Sequence, residues 1–158
     1  MFKTFTLIQV VLALIASAAF SAGSLTPKPA EKTTQAYGAS QASRLTAATL
    51  LMQKKQYAKA YENLSQLSSN ASDEADRQNL LGFSARKIGN YSAAQNHYEL
   101  ALQMDPDHLG ALEYQGKLFL ILGQIGNSQR NLEKLKKRCF LVCPSEYKKL
   151  LQAIEESK

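Results

Sequence analysis

The chain has 158 residues, of which 45% are hydrophobic and 20% charged, with eight glycines and four prolines. This composition fits one packed domain and excludes disorder over most of the length. The 19 basic and 13 acidic residues give a net charge of +6, but the basic residues lack the interleaved aromatic residues of a nucleic-acid surface, so no nucleic-acid partner is expected.

Two groups of basic residues stand out along the chain. One spans Lys54 to Lys59 and the other spans Lys134 to Arg138. We interpret both as solvated helix faces. The alternative is attraction to an acidic partner or to an anionic membrane surface.

Residues 1–22 have the layout of a secretory signal peptide. Lys3 precedes an apolar run from Leu7 to Ile15, and small residues follow as far as Ala22. The run is shorter than the roughly 20 residues that a membrane helix needs. We therefore expect an exported protein, in the periplasm or alternatively secreted, with no stable membrane anchor after cleavage behind Ala18 or Ala22. An uncleaved membrane anchor or a buried N-terminal helix would also fit this layout.

Residues 23–40 are rich in Ser, Thr, Ala and Pro. Such a segment buries too little apolar area to offset the entropy of ordering it, so we predict a flexible linker.

Three segments, 41–74, 75–108 and 109–142, align at a fixed offset of 34 residues without an insertion. Equivalent positions hold Tyr57, Tyr91 and Ile125; Ala60, Ala94 and Ser128; Leu64, Tyr98 and Leu132; and Ala48, Gly82 and Gly116. A fixed period of this length indicates stacked supersecondary units.

The middle segment predicts two helices joined by a short turn. The first covers Ala75 to Ile88, the turn contains Gly89 and Asn90, and the second covers Tyr91 to Met104. Glycine tolerates the positive φ that ends a helix, and Pro106 cannot continue one.

Small residues in this segment predict a close approach of the two helices. Gly82 on the first helix and Ala94 on the second would let the backbones meet with no side chain between them. A large residue at either position is expected to force the helices apart.

These positions resemble the tetratricopeptide repeat over residues 41–142. The middle segment has the family's signature residues Leu81, Gly82, Ala85, Gly89, Tyr91, Ala94, Tyr98, Ala101 and Pro106. The outer segments depart from the pattern at Ala48 and Ser72 in the first and at Ser128 and Phe140 in the third. The resemblance implies an all-α fold, a right-handed superhelix of three helix-turn-helix repeats.

Residues 143–158 predict a capping helix. Tyr147, Leu150, Leu151 and Ile154 form one apolar stripe between Ser145 and about Glu156. A helix of this kind would cover the exposed face of the last repeat, as solenoids require.

The resemblance implies binding rather than catalysis, in a groove lined by the first helix of each repeat. Such grooves take a protein or peptide segment. The groove positions carried over to this chain are Leu45, Thr49, Met52, Asp76, Asn79, Phe83, Arg86, Lys87, Glu113, Lys117 and Leu120.

A mixed apolar and basic surface is expected at the centre of this groove. Phe83 beside Arg86 and Lys117 would hold an acidic group or a free C-terminal carboxylate, because arginine offers a planar fork of donors. The alternative is that the two basic side chains are solvated and Phe83 packs under a neighbour. The family's chaperone-tail clamp uses Lys and Asn where this chain has Leu45 and Thr49, so a cytosolic chaperone tail is not the expected ligand.

Cys139 and Cys143 are the two cysteines of the chain, and Pro144 follows them. In an oxidising compartment this spacing predicts a disulfide. The alternatives are free thiols, a redox pair, or a metal site, although the two histidines, His97 and His108, belong to another repeat. No phosphate-binding loop or catalytic arrangement stands out, and no cofactor or metal is expected.

The sequence therefore favours a non-enzymatic adaptor outside the cytosol. A thiol redox or metal-handling protein using Cys139 and Cys143 is the alternative from a different class. A self-associating scaffold is a third.

Overall fold

The computed structural model describes residues 41–68 and 72–158, with side chains from Leu45 onward. The predicted signal peptide (1–22) and linker (23–40) lie outside the described residues. The described part contains seven α-helices and no strand: α1 (Gln41–Gln53), α2 (Tyr57–Ser65), α3 (Glu74–Lys87), α4 (Tyr91–Met104), α5 (Leu109–Ile121), α6 (Ile125–Lys136) and α7 (Ser145–Glu156). The predicted all-α class is confirmed.

Helix α3 shows why these segments are helical. Glu74 and Asp76 lie in its first turn, and Arg86 and Lys87 lie in its last turn. Carboxylates at the N-terminus and cations at the C-terminus complement the helix dipole. The predicted helix from Ala75 to Ile88 is displaced by one residue, within the usual uncertainty of helix ends.

Side-chain caps begin the next two helices. The Asn90 side chain accepts a hydrogen bond from the Ala93 backbone N–H at 3.2 Å, at the start of α4. The His108 Nδ1 accepts one from the Ala111 N–H at 3.2 Å, at the start of α5. Each cap satisfies a backbone donor that the helix itself leaves without a partner.

The turns inside the three helix pairs share one backbone conformation. Lys55, Gly89 and Gly123 have φ angles of 58°, 82° and 71°. Glycine adopts this left-handed conformation readily, whereas lysine does so at a steric cost. The sequence predicted the turn at Gly89 but gave no sign that Lys55 adopts the same conformation.

Consecutive helices pack against each other throughout the described chain. In addition the backbones of α1 and α3, of α3 and α5, and of α5 and α7 approach each other, whereas among the described residues the backbones of α2, α4 and α6 stay farther apart, and α2 meets α4 through the side chains of Tyr61 and His97. The surface shared by α1, α3, α5 and α7 is called the odd-helix face below.

The buried core of the middle pair is built around Tyr98. This side chain is fully buried and packs with Ala85, Ala94 and Leu118. Its ring lies over Gly82, so the expectation that no side chain separates the two helices there is wrong. The flat ring fits because Gly82 has no Cβ to keep it away.

The last helix covers the α5–α6 pair. Leu150 and Ile154 are buried with Leu112 and Leu135, and the Leu150 side chain lies over Gly116. The apolar stripe predicted for α7 therefore faces the core, and the observed bounds of α7 match the predicted ones.

Candidate functional site

Three aromatic rings meet around Phe83 of α3, one from Tyr114 of α5 on the odd-helix face and one from Tyr57 at the start of α2. The Phe83 ring centroid lies 4.8 Å from that of Tyr114 and 5.9 Å from that of Tyr57, the latter in an edge-on arrangement. These spacings lie in the range of favourable aromatic pairs. Phe83 is half-buried and so forms an apolar floor that is still partly accessible.

Two cations lie over these rings. The Arg86 guanidinium carbon is 5.4 Å from the Phe83 centroid and 5.9 Å from the Tyr114 centroid. The Lys87 Nζ is 5.7 Å from the centroids of both Tyr57 and Phe83. Distances below about 6 Å permit cation–π attraction. We call Tyr57, Phe83, Arg86, Lys87 and Tyr114 the aromatic–cation cluster.

Positive charge accumulates at this cluster. Burial lowers the pKa of Lys87, and the charges of Arg86, Lys117 and Lys55 lower that pKa further. Neighbouring cations make it less favourable for a lysine to carry its own charge. An anion bound at the cluster would relieve this repulsion.

One carboxylate offsets part of the charge. Glu113 is 2% exposed, and its Oε1 accepts a hydrogen bond of 2.7 Å from the Lys117 Nζ. Lys117 therefore has an internal partner, which reduces the role predicted for it as an anion ligand. Burial raises the pKa of Tyr114, the Glu113 charge raises it further, and the Arg86 charge opposes both.

Arg86 is the more buried of the two cations in the cluster. The guanidinium is half-buried, and within the described residues its Nε has no hydrogen-bond partner. The sequence left open whether Phe83 and Arg86 form an anion-binding surface or whether Arg86 is solvated and Phe83 packs under a neighbour, and the observed arrangement lies between the two. Phe83 does pack against neighbouring rings, but Arg86 is held over those rings rather than freely solvated.

A second group of predicted residues lines a concavity between α1 and α3. Leu45, Thr49, Asp76 and Asn79 border this open space of about 290 Å³. Asn79 is 7% exposed, and its Oδ1 has no partner among the described residues. Asp76 is engaged, since its Oδ1 lies 3.0 Å from the His108 Nε2.

The remaining two predicted residues support the core. Met52 packs against the buried Ala48, Leu64 and Leu81, and Leu120 packs against the core beneath α7. The structure thus brings Phe83, Arg86 and Lys87 together, with Lys117 close enough to lower the pKa of Lys87.

Sequence reasoning missed Tyr57 and Tyr114 as members of the site. Tyr57 was assigned to the repeat pattern, and Tyr114 follows Glu113 with no distinguishing signal. Lys117 also borders a concavity of about 220 Å³ with α7 residues that the sequence assigned only to capping, namely Lys149, Gln152, Ala153 and Glu156.

The two histidines are engaged in hydrogen bonds. His97 Nε2 lies 3.2 Å from the Tyr61 hydroxyl, and its Nδ1 lies 2.7 Å from Gln78 Oε1. Burial lowers the pKa of His97, and the Arg77 charge lowers it further.

The hydrogen-bond partners of His97 and His108 described above do not include Cys139 or Cys143. Cys139 and Cys143 have their sulfurs at disulfide distance and their Cα atoms 4.1 Å apart. In the described part of the chain, no group of three or more His, Cys, Asp or Glu residues is placed to hold a metal ion.

None of α1 to α7 is both long enough and apolar enough to cross a membrane. No family model matches the chain, and no curated protein matches it.

Proposed function

We propose that this chain is a solenoid of three tetratricopeptide-type repeats and acts as a non-enzymatic adaptor. On this proposal, the odd-helix face binds an acidic segment, or the free C-terminus, of a partner protein. The partner's carboxylate meets Arg86 and Lys87, while an adjacent apolar side chain contacts Phe83.

The regularity of the described helices supports the solenoid. Helices α2, α4 and α6 begin at Tyr57, Tyr91 and Ile125, which are the positions equivalent at the 34-residue offset. The positive-φ turns at Lys55, Gly89 and Gly123 share that offset. The backbones of the odd-numbered helices approach one another more closely than those of α2, α4 and α6 do among the described residues, which favours a curved array whose inner side is the odd-helix face.

The observation that carries the binding proposal is the aromatic–cation cluster. Burial lowers the pKa of Lys87, the neighbouring cations Arg86, Lys117 and Lys55 lower it further, and Glu113 is already paired with Lys117. A carboxylate from a partner would gain charge-assisted hydrogen bonds from Arg86 and remove repulsion among the cations. The rings of Phe83 and Tyr114 would supply apolar contact beside that charge.

A direct test uses a fluorescent peptide rich in Glu and a matched peptide with Gln in place of Glu. We expect the acidic peptide to bind more tightly, and Arg86→Glu to weaken it by at least tenfold, since a charged hydrogen bond is replaced by repulsion. Phe83→Ala should weaken both peptides. Arg130→Glu makes the same charge change on α6, away from the odd-helix face, and should leave binding unchanged.

A second test identifies natural partners. Crosslinking and affinity capture from the cell envelope would compare the wild-type chain with the Phe83→Ala and Arg86→Glu variants. The proposal requires proteins that the wild type and Arg130→Glu capture but the two cluster variants do not. Capture of the same proteins by all four forms would refute binding through this face.

Export is part of the proposal and rests on the layout of residues 1–22. The pairing of Cys139 with Cys143 supports it, since disulfides persist in oxidising compartments. The alternative function, thiol redox or metal handling, depends on the same two cysteines. Replacing both with serine separates the two functions: an adaptor keeps its partner, whereas a redox protein loses its activity.

A further inference from the structure

The loop between α6 and α7 exposes three consecutive hydrophobic side chains. Phe140, Leu141 and Val142 are 94%, 88% and 75% exposed, more than any other large hydrophobic residue of the described chain. We call these three residues the apolar tip. Contiguous apolar exposure of this kind marks interaction sites in soluble proteins.

The cysteine pair keeps the apolar tip in this position. Cys139 and Cys143 flank the three residues with Cα atoms 4.1 Å apart, directly before Pro144 and the start of α7. A loop closed over so few residues is too short to fold its side chains back onto the core. The tip is therefore held outward, and none of its three side chains covers the others.

Basic residues surround the tip. The segment 134–149 contains six of the chain's 19 basic residues and one of its 13 acidic residues, which leaves 13 basic and 12 acidic residues elsewhere. Almost all of the net positive charge thus belongs to this segment. Its basic residues are Lys134, Lys136, Lys137, Arg138, Lys148 and Lys149.

Acidic neighbours neutralise little of this charge. Arg138 pairs with Asp107 at 3.2 Å, and both side chains are more than half exposed. Glu146, the acidic residue of the segment, accepts a hydrogen bond from the Ser145 hydroxyl. Among the described residues, no ion pair involves Lys136 or Lys137, which end α6 beside the tip.

We propose that the apolar tip and its basic surround dock reversibly on an anionic membrane surface. Phe140, Leu141 and Val142 enter the boundary between headgroups and acyl chains, while Lys136 and Lys137 contact the lipid headgroups. Apolar insertion combined with attraction of lysines to anionic lipids is the physical basis of peripheral membrane binding. A fluid bilayer can accommodate three exposed apolar side chains of a short loop without a matching pocket, and its anionic headgroups complement the surrounding lysines. This inference does not depend on the odd-helix face.

A single tryptophan can test the docking, because the chain contains no natural tryptophan. Leu141→Trp places the fluorophore in the tip, so its signal reports on the tip whatever other residues contact the vesicle. Ile88→Trp is the matched control, since Ile88 is also an exposed apolar residue but lies in the α3–α4 turn, at the opposite end of the helix pairs. Circular dichroism would verify that both full-length variants are folded.

Vesicles containing phosphatidylglycerol and phosphatidylcholine in equal parts, with brominated acyl chains, serve as the probe. We expect a blue shift and quenching of the tryptophan in Leu141→Trp but not in Ile88→Trp, and neither effect with pure phosphatidylcholine. Adding Lys136→Gln and Lys137→Gln to Leu141→Trp should weaken vesicle binding about 25-fold, at about fivefold per charge.

Three results would overturn the inference. The first is a folded Leu141→Trp variant whose fluorescence does not change with anionic vesicles. The second is equal quenching in the Leu141→Trp and Ile88→Trp variants, which would indicate general adhesion. The third is a Leu141→Trp variant whose fluorescence is unchanged by anionic vesicles but shifts to the blue when a soluble protein extract is added, which would indicate that the tip binds protein and not lipid.

Discussion

The Tyr98 ring occupies the space that a Cβ atom on Gly82 would need. Such an atom would lie 2.6 Å from Cε1 and 2.7 Å from Cδ1 of Tyr98. Both residues are buried, and Tyr98 also contacts Ala85, Ala94 and Leu118. The ring therefore has little room to move if the glycine acquires a side chain.

Gly82→Ala should accordingly destabilise the protein. We expect the free energy of unfolding to fall by about 2 kcal/mol, because an overpacked core must displace the ring or separate α3 from α4. Chemical denaturation would measure the change. Gly126→Ala is the control, since a Cβ there meets no atom within 4 Å. Equal stability of the two variants would show that the ring adapts without cost.

Lys55 offers a stabilising change. Its φ of 58° is unfavourable for a residue with a Cβ, whereas Gly89 and Gly123 occupy the equivalent turns. We expect Lys55→Gly to raise the free energy of unfolding by about 0.5 kcal/mol, the relief of backbone strain exceeding the added entropy of the unfolded glycine. Lys55→Gln removes the charge but keeps the Cβ, so it should not reproduce the gain. A loss of stability in Lys55→Gly would contradict this account.

His97 should make stability depend on pH. Burial lowers its folded-state pKa below the ordinary value of 6.5, so the unfolded chain binds a proton more readily than the folded chain. The contribution is fully present above about pH 6.5 and is lost as the pH falls toward the lowered folded-state pKa.

Urea denaturation from about pH 7.5 down to about pH 5 would test this behaviour by comparing wild type with His97→Gln. The wild type should lose stability more steeply, because glutamine does not titrate. His108, Asp76 and the surface carboxylates are present in both proteins, so the difference between the curves isolates His97. Parallel curves would mean that His97 has the same pKa in both states.

The cysteine pair should contribute modestly to stability. Joining Cys139 to Cys143 closes a loop of five residues, for which the chain-entropy estimate is about 2 kcal/mol. Serine at both positions should lower the free energy of unfolding by about this amount. A reductant should destabilise the wild type similarly and leave the double variant unaffected. If the reductant changes neither protein, the pair is not oxidised in solution.

The sequence anticipated the helical units better than it anticipated the aromatic–cation cluster. It predicted Tyr91–Met104 and Ser145–Glu156 with the bounds that the structure has, because apolar periodicity and turn residues act locally. The resemblance to the tetratricopeptide repeat placed Phe83, Arg86 and Lys87 in one groove, and their three- and four-residue spacings bring these side chains together on α3. Tyr57 lies on α2 and Tyr114 on α5, so no spacing within one helix could predict that their rings pack against Phe83.

Met52 and Leu120 show how far the sequence can predict which residues of a helix face solvent. Both were assigned to the groove through the repeat pattern, and both are partly buried and pack against core clusters, as Leu45 does. Whether a residue at the margin of a helix stripe faces solvent or the core depends on the rotation of that helix against its neighbours. A small rotation of the helix about its axis moves such a residue between solvent and core. The angle of rotation depends on the neighbouring helices, so the sequence of one helix does not determine it.

The sequence by itself determined where the helices form, where they turn, and that one end of the chain carries most of its net charge. These properties depend on local backbone preferences, periodicity and composition. Only the tertiary structure decided that Tyr98 lies over Gly82, that Leu150 lies over Gly116, and that Arg86 and Lys87 lie over the Phe83 ring. Each of these contacts depends on the distance and angle between helices, which the packing of the whole described chain sets together.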